Sequence, residues 1–358
     1  MEHDLTKRRP SIIPGTLPLL GSWTPTIPSL EEEEYSSESS LLSYLPPIST
    51  YDTKPCLTIK KFSSSTISQT SIAHTYGICL LDTDDEQLIV CDHYNNRIIM
   101  FNSNDGSLID IFRQISVPEN VCIRPHHPQQ IYITKAHSLN LYDIEKKQII
   151  QKLGSEESGH ANNRFNIPCG IVVDPTNGEI YMCDSWNHRI CVFSPDFRYV
   201  NRRWYLHRWE QPTFKVKPNF IAINGKQCAV TCDDAPIYRG AVYMFDKMGY
   251  INKIYDHETK KPGPCQLNVP HGILLDENGN WLTVCYSDQD ARCVHRTAVE
   301  NNNNDEEQCE DEITYFRSKE LKGGSGLAIK RDQTIIIGDR DDNKLLFFKQ
   351  KIDQSKKS

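Results

Sequence analysis

An acidic residue and an arginine recur five positions apart in this chain, each time ahead of an apolar run. The clear copies are Asp92 with Arg97 and Asp184 with Arg189. A carboxylate and a guanidinium at the two ends of a tight turn can form an ion pair and hydrogen-bond the backbone of the turn. We therefore interpret these four residues as structural turn pairs and not as catalytic groups.

A second stretch with possible binding chemistry is residues 202–209, where cations alternate with aromatic rings. Single-stranded nucleic acid is bound by such side chains, because bases stack on rings and phosphates pair with cations. A peptide with acidic and aromatic residues would suit the same stretch. A third interpretation is packing, with Trp204 and Leu206 as buried residues of an outer strand.

The elements that position these residues are short β-type runs. Residues 88–90 and 98–101 flank the first Asp–Arg turn, and residues 180–182 and 190–193 flank the second. Runs of β-branched and aromatic residues bounded by Asn, Asp, Gly and Pro are typical of strands. A hairpin without charges at residues 131–142 and weaker copies of the turn bring the number of hairpins to six; the weaker copies are Asp234/Arg239, Ser287/Arg292 and Asp339/Lys344.

A short motif precedes each hairpin. Pro168-Cys169-Gly170 and Pro270-His271-Gly272 are the clear copies, and weaker counterparts begin at Tyr76, Pro118, Pro218 and Ser325. Successive copies lie roughly 40 to 55 residues apart, which is the length of a four-stranded propeller blade. The sequence therefore predicts an all-β fold, a six-bladed β-propeller.

The last predicted blade lacks a fourth strand of its own, because the chain ends soon after Phe348. Residues 57–62 form a β-type run upstream of the first blade and have no other partner there. We predict that this run supplies the outer strand of the sixth blade and closes the ring, which would leave little free sheet edge.

The hairpin cores resemble a known repeat. Asn187-His188-Arg189 matches the name-giving core of the NHL repeat at every position, and Asn95-Asn96-Arg97 matches two of the three. The resemblance covers about residues 57–349 and implies a six-bladed propeller like that of tripartite-motif NHL proteins. Some of those proteins add RING and B-box zinc modules and act as ubiquitin ligases. This chain has no Cys-x2-Cys pair, so we expect neither module.

Composition predicts three segments. Residues 1–54 are rich in Pro, Ser and Thr, carry an acidic run at 31–34, and are expected to form a disordered tail. Residues 55–350 are expected to form the propeller, with an acidic loop insert at 298–314, and residues 351–358 a C-terminal tail. The net charge of −7 is concentrated in the acidic run and the insert, which leaves the propeller close to neutral.

The cysteines indicate which cellular compartment the protein occupies. Thirteen are present, and Cys183/Cys191 and Cys285/Cys293 lie in neighbouring predicted strands. If Asp184 faces Arg189, the sulfur atoms of Cys183 and Cys191 point to opposite sheet faces, because side chains alternate along a strand. We therefore expect buried free thiols in a reducing, cytoplasmic setting. We also expect no secretory signal, and no membrane partner, since no apolar run has the length of a membrane span.

Propeller geometry indicates a candidate binding surface. In each blade the turn between the second and third strands and the crossover to the next blade lie at the same end. We call this end the rim face. Tyr94 and Trp186 would stand at turn tips there, as ligand contacts or as packing between blades. The candidate binding residues are Tyr94, Asn95, Arg164, Phe165, Trp186, His188, Arg208, Trp209, Tyr238 and Arg340.

The residues in the middle of the Pro-x-Gly motifs should approach the central channel. They are Tyr76, Glu119, Cys169, Asn219, His271 and Ser325. Related propellers include an amidating lyase that holds zinc with histidines from alternate blades, and His271 matches one such position. Cys169 and Tyr76 stand where the other histidines would be needed, so we predict no metal and no cofactor. No catalytic set stands out elsewhere.

These observations favour a non-enzymatic platform that binds protein or peptide on the rim face. The resemblance adds a role as a substrate-recognition partner in ubiquitin pathways. The alternative is binding of single-stranded RNA, as in some animal proteins with this propeller. The near-neutral charge weighs against it, because phosphate contacts favour a basic surface, and we expect no DNA partner. A lyase or hydrolase in the channel is the third interpretation.

Overall fold

The computed structural model describes residues 51–63, 70–81, 86–113, 115–198, 200–206, 216–233, 240–255, 267, 269–285, 293–297 and 312–351. Strands make up nearly all of the regular structure in these ranges, and the exceptions there are two single-turn 3-10 helices, His93–Asn95 and Ser185–Asn187. Among these residues no helix has the length and apolar character needed to cross a membrane.

The strands form six four-stranded antiparallel sheets. Blade 1 contains β2 (Thr75–Leu81), β3 (Gln87–Asp92), β4 (Arg97–Asn102) and β5 (Leu108–Phe112). Blade 2 contains β6 (Pro118–Ile123), β7 (Gln130–Lys135), β8 (Ser138–Asp143) and β9 (Gln148–Gly154). Blade 3 contains β10 (Pro168–Val173), β11 (Ile180–Asp184), β12 (Arg189–Phe193) and β13 (Val200–Tyr205).

The second half repeats this pattern. Blade 4 contains β14 (Lys217–Ile223), β15 (Gln227–Asp233), β16 (Ala241–Asp246) and β17 (Ile251–Tyr255). Blade 5 contains β18 (Pro270–Leu275), β19 (Trp281–Cys285), β20 (Cys293–Thr297) and β21 (Glu312–Arg317). Blade 6 contains β22 (Gly324–Ile329), β23 (Ile335–Asp339), β24 (Lys344–Phe348) and β1 (Leu57–Ile59). The inner strands contact one another in ring order, from β2 through β22 and back to β2, so the six-bladed propeller predicted from the repeats is confirmed.

The N-terminal strand closes the ring. β1 pairs antiparallel with β24, with Leu57 opposite Phe347 and Ile59 opposite Leu345. Upstream of it, the buried Tyr51 ring stacks on Phe316 with centroids 5.5 Å apart. The predicted origin of the sixth blade's outer strand is therefore confirmed.

The glycines of the Pro-x-Gly motifs allow the inner strands to approach closely. A Cβ atom on Gly170 would lie 2.6 Å from the carbonyl oxygen of Asn219 in the next blade, and one on Gly272 would lie 2.4 Å from that of Ser325. Real Cβ atoms do not approach a carbonyl oxygen this closely, so a side chain at either position would force neighbouring blades apart. The glycines of the motif thus allow the inner strands of neighbouring blades to pack closely around the axis of the ring.

The core lies between blades. One cluster, for example, joins Val192 and Trp204 of blade 3 to Val230 and Phe245 of blade 4. Each sheet therefore buries its two faces against its neighbours, and the repeated unit depends on the complete ring.

Some sequence predictions fall on residues that the structure does not describe. Arg208, Trp209, Tyr238 and the weaker turn copies Asp234/Arg239 and Ser287/Arg292 lie outside the described residues. The same is true of residues 1–50, 298–311 and 352–358, while residues 312–314 of the predicted insert belong to β21.

Candidate functional site: the rim face and the channel mouth

The Asp–Arg turns are built as predicted in register. Asp184 is directly opposite Arg189, and Asp92 is opposite Arg97. In each turn a 3-10 helix ends at a residue with left-handed backbone, Asn96 with φ 53° or His188 with φ 56°. The same register places Cys183 opposite Ile190, so the Cys183 and Cys191 side chains lie on opposite sheet faces, and both are free thiols.

The Asp184–Arg189 pair fastens the crossover loop to the turn. The Arg189 Nε atom donates to Asp184 Oδ2 at 2.7 Å, and the guanidinium also donates to the carbonyl oxygens of His160 and Arg164, both at 2.9 Å. The other Asp184 oxygen accepts from the Asn166 backbone N–H at 2.7 Å. Because both charged groups are almost fully buried, their role is to hold the loop.

Blades 1 and 6 use the same device. Arg97 Nε lies 2.6 Å from Asp92 Oδ2, and Asp92 Oδ1 accepts from the Ala73 backbone N–H at 2.7 Å. In blade 6 a lysine takes the place of the arginine, with Lys344 Nζ 3.7 Å from Asp339 Oδ2. Three crossover loops are thus anchored at the rim face by buried charges.

Two aromatic rings project from equivalent turns on this face. Tyr94 and Trp186 are each the central residue of a 3-10 helix, and they are 67% and 51% exposed. His74 stacks under Tyr94 with ring centroids 4.2 Å apart. The Lys217 ammonium lies 4.1 Å from the centroid of the Trp186 ring, a distance at which cation–π attraction is effective. Each ring therefore contacts one neighbouring side chain, His74 or Lys217, and remains largely exposed to solvent.

Other predicted rim residues contact neighbouring parts of the protein. The prediction that Phe165 binds a ligand is wrong, because this residue is buried and packs edge-on against Phe193 with centroids 5.9 Å apart.

The predicted polar residues of the rim face make contacts within the protein. Asn95 donates from its side chain to Asp92 and to the Ser71 carbonyl oxygen. His188 Nδ1 lies 3.3 Å from the Val216 carbonyl oxygen. Arg164 is about half exposed and pairs with Glu157 at 3.2 Å.

The stretch of alternating cations and rings is divided between the core and the surface where the structure describes its side chains. Trp204 is buried between Tyr181 and Phe245, with ring centroids 5.4 Å and 5.8 Å away, and Leu206 is buried in the same cluster. Arg202 pairs with Glu179. The packing interpretation therefore holds for Trp204 and Leu206, whereas the Tyr205 ring is 60% exposed.

The channel-mouth residues converge at the axis. All six are buried, namely Tyr76, Glu119, Cys169, Asn219, His271 and Ser325. The Tyr76 ring lies 6.0 Å from that of His271, and Phe220 of blade 4 lies 5.5 Å from Tyr76 and 5.7 Å from His271. The rings of three blades therefore form a floor across the channel at the rim face.

Phe220 was missed in the sequence. It stands where Pro-x-Gly has its glycine, and this departure from the motif is the signal that could have revealed it. Its ring packs against those of Tyr76 and His271.

Burial and the charge of Arg340 shift the pKa values of the titratable groups at the channel mouth. Burial, together with the positive charge of Arg340, lowers the pKa of His271 to about 3. Burial raises the pKa of Glu119 to about 8, although Arg340 acts in the opposite direction. Near neutral pH, His271 is therefore uncharged and Glu119 is largely protonated.

The described residues contain no group of three or more His, Cys, Asp or Glu side chains arranged to hold a metal ion. At the position of the lyase's histidines, Cys169 shares a hydrogen bond with Tyr76, and burial raises the pKa of its thiol to about 12. The thiol is therefore a poor nucleophile at neutral pH.

Comparison with known proteins supports the fold. A model of the NHL repeat matches residues 165–193, which span β10 to β12. No curated protein matches the chain. Similar solved structures include hydrazine synthase of Kuenenia stuttgartiensis, with a TM-score of 0.52, 14% identity and 78% of each chain covered.

Two further structures have the same TM-score of 0.52. The WD40 β-propeller domain of Doa1 is 13% identical and covers 79% of this chain and 80% of its own. Virginiamycin B lyase from Staphylococcus aureus is 14% identical and covers 83% of this chain and 99% of its own. At these identities the likeness concerns the fold alone. The chain is therefore a six-bladed β-propeller that carries an NHL repeat in its third blade.

Proposed function

We propose that this chain is a non-enzymatic platform that binds a protein or peptide on its rim face, with Tyr94 and Trp186 as anchors. The observation that carries the proposal is the pair of exposed rings at equivalent turns of blades 1 and 3. Rigid aromatic side chains in such positions contribute most of the energy at many interfaces. Neither ring has a core to enter, and the buried ion pairs below hold both turns in place.

The test is a comparison of two double variants by proximity labelling in cells. Tyr94→Ala with Trp186→Ala removes the anchors. Met248→Ala with Tyr250→Ala is the matched control, because these exposed side chains lie at the β16–β17 turn, at the opposite end of the blades.

We expect the partner list of the anchor variant to collapse and that of the control to match the wild type. Loss of one interface anchor costs about 2 kcal/mol or more, which is roughly thirtyfold in affinity. Equal melting temperatures would show that both variants are folded. An unchanged partner list for the anchor variant would refute the proposal.

Single-stranded RNA is the second candidate ligand. The observation that favours it is the Trp186 ring beside Lys217, since a base can stack on the ring while a phosphate pairs with the ammonium. Crosslinked RNA that is recovered with the wild type and lost on Trp186→Ala would favour this candidate. Failure to retain any RNA at low salt would remove it.

The proposal includes a cytoplasmic setting and, as an extension, a role in presenting substrates to a ubiquitin ligase. The setting is supported by the opposite orientation of the Cys183 and Cys191 thiols. The extension is supported by the resemblance to ligase-linked propellers. Ligase subunits among the partners labelled by the wild type would favour it, and their loss in the anchor variant would assign the contact to the rim face.

A further inference from the structure

Lys217 is a partly exposed cation of the rim face that forms no ion pair with the described residues. Its Nζ atom lies 4.1 Å from the centroid of the Trp186 ring. Asp233 is opposite Lys217 in the pairing of β14 with β15, but within the described ranges no carboxylate oxygen lies within 4.0 Å of the ammonium. An ammonium carries three N–H donors, and one side of this ammonium faces the ring. Donors therefore remain for a ligand.

Two polar contacts hold the backbone on both sides of Lys217 against the 3-10 turn of blade 3. The Ser185 hydroxyl donates to the Pro218 carbonyl oxygen, and His188 Nδ1 lies 3.3 Å from the Val216 carbonyl oxygen. The start of the lysine side chain is therefore fixed relative to the turn that carries the exposed indole ring. A preorganised pair of side chains loses less conformational entropy on binding than two freely moving ones.

A lysine at this position departs from the repeat. The equivalent residues of three other blades, each directly ahead of the proline that begins the motif, are Val117, Ile167 and Val269. Because those blades fold with an apolar side chain here, the propeller does not require a charge at this position. The charge of Lys217 thus points to a role other than holding the ring together.

The charges around Lys217 favour a ligand that brings a single negative group. Burial raises the pKa of Asp233, whereas the charges of Lys217 and Arg340 lower it. A nucleic acid strand would bring several phosphates towards Asp233 as well as towards Lys217, and its binding depends on a broad basic surface. A single carboxylate needs only one cation. A peptide with an acidic group therefore fits this place better than a nucleic acid does.

We propose that Lys217 and Trp186 form one subsite, which binds a carboxylate of the partner peptide together with a neighbouring apolar or aromatic side chain. The carboxylate pairs with the Lys217 ammonium, and the neighbouring side chain packs on the Trp186 ring, which is 51% exposed. The carboxylate belongs to an acidic side chain or to the C-terminus of the peptide. This inference rests on the proposed function, because it names the chemical class of the ligand that the same face recognises.

The probe is an array of short random-sequence peptides in matched pairs that differ only by Glu or Gln at one position. Each peptide is synthesised with a free and with an amidated C-terminus and incubated with the tagged full chain near pH 7. We expect the wild type to retain the Glu member of a pair, or the free C-terminal form, about fivefold more strongly, which is near the upper limit for an exposed ion pair. The two comparisons separate a side-chain carboxylate from a C-terminal one.

Lys217→Gln should abolish the preference for a carboxylate, because the cation is lost. Lys217→Val is the second variant, and it gives blade 4 the residue that two other blades have at this position, so it serves if the glutamine variant does not fold. Lys226→Gln is the matched control, since Lys226 is exposed in the β14–β15 turn at the other end of the same strand, and it should keep the preference. A preference that persists unchanged in both Lys217 variants would overturn the inference.

Ionic strength gives an independent measurement. The distance over which exposed charges interact falls from about 10 Å at 0.1 M salt to about 3 Å at 1 M. The preference for Glu over Gln should therefore shrink across this range, while the apolar contact with Trp186 persists and peptides are still retained. A preference for the acidic member that does not change with salt would overturn the pairing with a partly exposed ammonium.

The two proposals can fail separately. If peptides are retained through Tyr94 and Trp186 without any preference for a carboxylate, the subsite is refuted and the platform stands. If the array retains nothing, or retains peptides equally well after both anchors are replaced by alanine, the platform fails and the subsite fails with it. Retention of single-stranded RNA in place of peptides overturns both. Melting temperatures close to that of the wild type exclude a general loss of structure in the variants.

Discussion

The buried ion pair of Asp184 and Arg189 holds the crossover loop between blades 2 and 3 in place. Asp184 and Arg189 lie within the fold, where removing two charges from water is costly. Their hydrogen bonds to Asn166, His160 and Arg164 offset this cost, because nearly every donor and acceptor finds a partner in the loop. The pair therefore specifies where the loop lies, and the exposed Trp186 depends on that placement.

Replacing Arg189 by Met should destabilise the fold by about 3–5 kcal/mol, because Asp184 would remain buried without its counter-ion. Urea unfolding followed by fluorescence measures the loss. Lys152→Met is the matched control, since its partner Glu156 is 91% exposed and such surface pairs contribute about 1 kcal/mol or less. A loss for Arg189→Met no larger than that of the control would contradict the structural role of the pair.

At the scale of single residues, the sequence predicts which residues pair across neighbouring strands better than it predicts which side chains are buried. The spacing from Asp184 to Arg189 implies their cross-strand register, and the register implies the separation of Cys183 from Cys191. Phe165 was expected at the surface because it lies in a crossover loop. Its burial against Phe193 depends on how the loop folds back over blade 3, and no local pattern encodes that contact.

At the scale of elements, β1 joins the two ends of the chain in one sheet. Its residues Leu57 and Ile59 pair with β24, so the sixth blade is complete only when the N-terminal strand is present. Ile59 and Phe62 also pack with Phe347 in the cluster between blades 6 and 1. Loss of this strand would expose the edge of β24 and uncover that cluster.

Deletion of residues 1–63 should therefore lower the melting temperature sharply, whereas deletion of residues 1–50 should leave it nearly unchanged. The shorter truncation is the matched control, because it keeps Tyr51 and β1. Circular dichroism at increasing temperature measures both. Equal melting temperatures for the two truncated chains would be incompatible with closure by β1.

The sequence predicted this closure by elimination, since the run at residues 57–62 had no other partner. The position of Tyr51 could not be predicted in the same way. It follows a proline- and serine-rich stretch and makes an isolated bridge to Gln350, and its stacking on Phe316 joins residues that are far apart in the chain.

At the scale of the whole molecule, neighbouring blades approach each other most closely at the start of their inner strands. Glycines at the start of the inner strands let each backbone contact the next blade, as Gly170 does with Asn219 and Gly326 with Tyr76. Blades 2 and 4 depart from this rule, with Asn120 and Phe220 at the position of the glycine, and the Phe220 ring helps to close the channel. The same inner strands that hold the ring together therefore also form the floor of the rim face.

Gly272→Ala should strain this ring. The new methyl group would meet the Ser325 carbonyl oxygen at 2.4 Å, and backbone atoms cannot move aside without shifting blade 6 relative to blade 5. We expect a loss of roughly 3 kcal/mol, at the upper end for overpacked cores. Gly159→Ala is the control, because its methyl group would meet the Arg164 side chain, which can change rotamer. Urea unfolding compares the two variants, and equal stabilities would show that the inner strands tolerate separation, which would remove the physical basis for the motif.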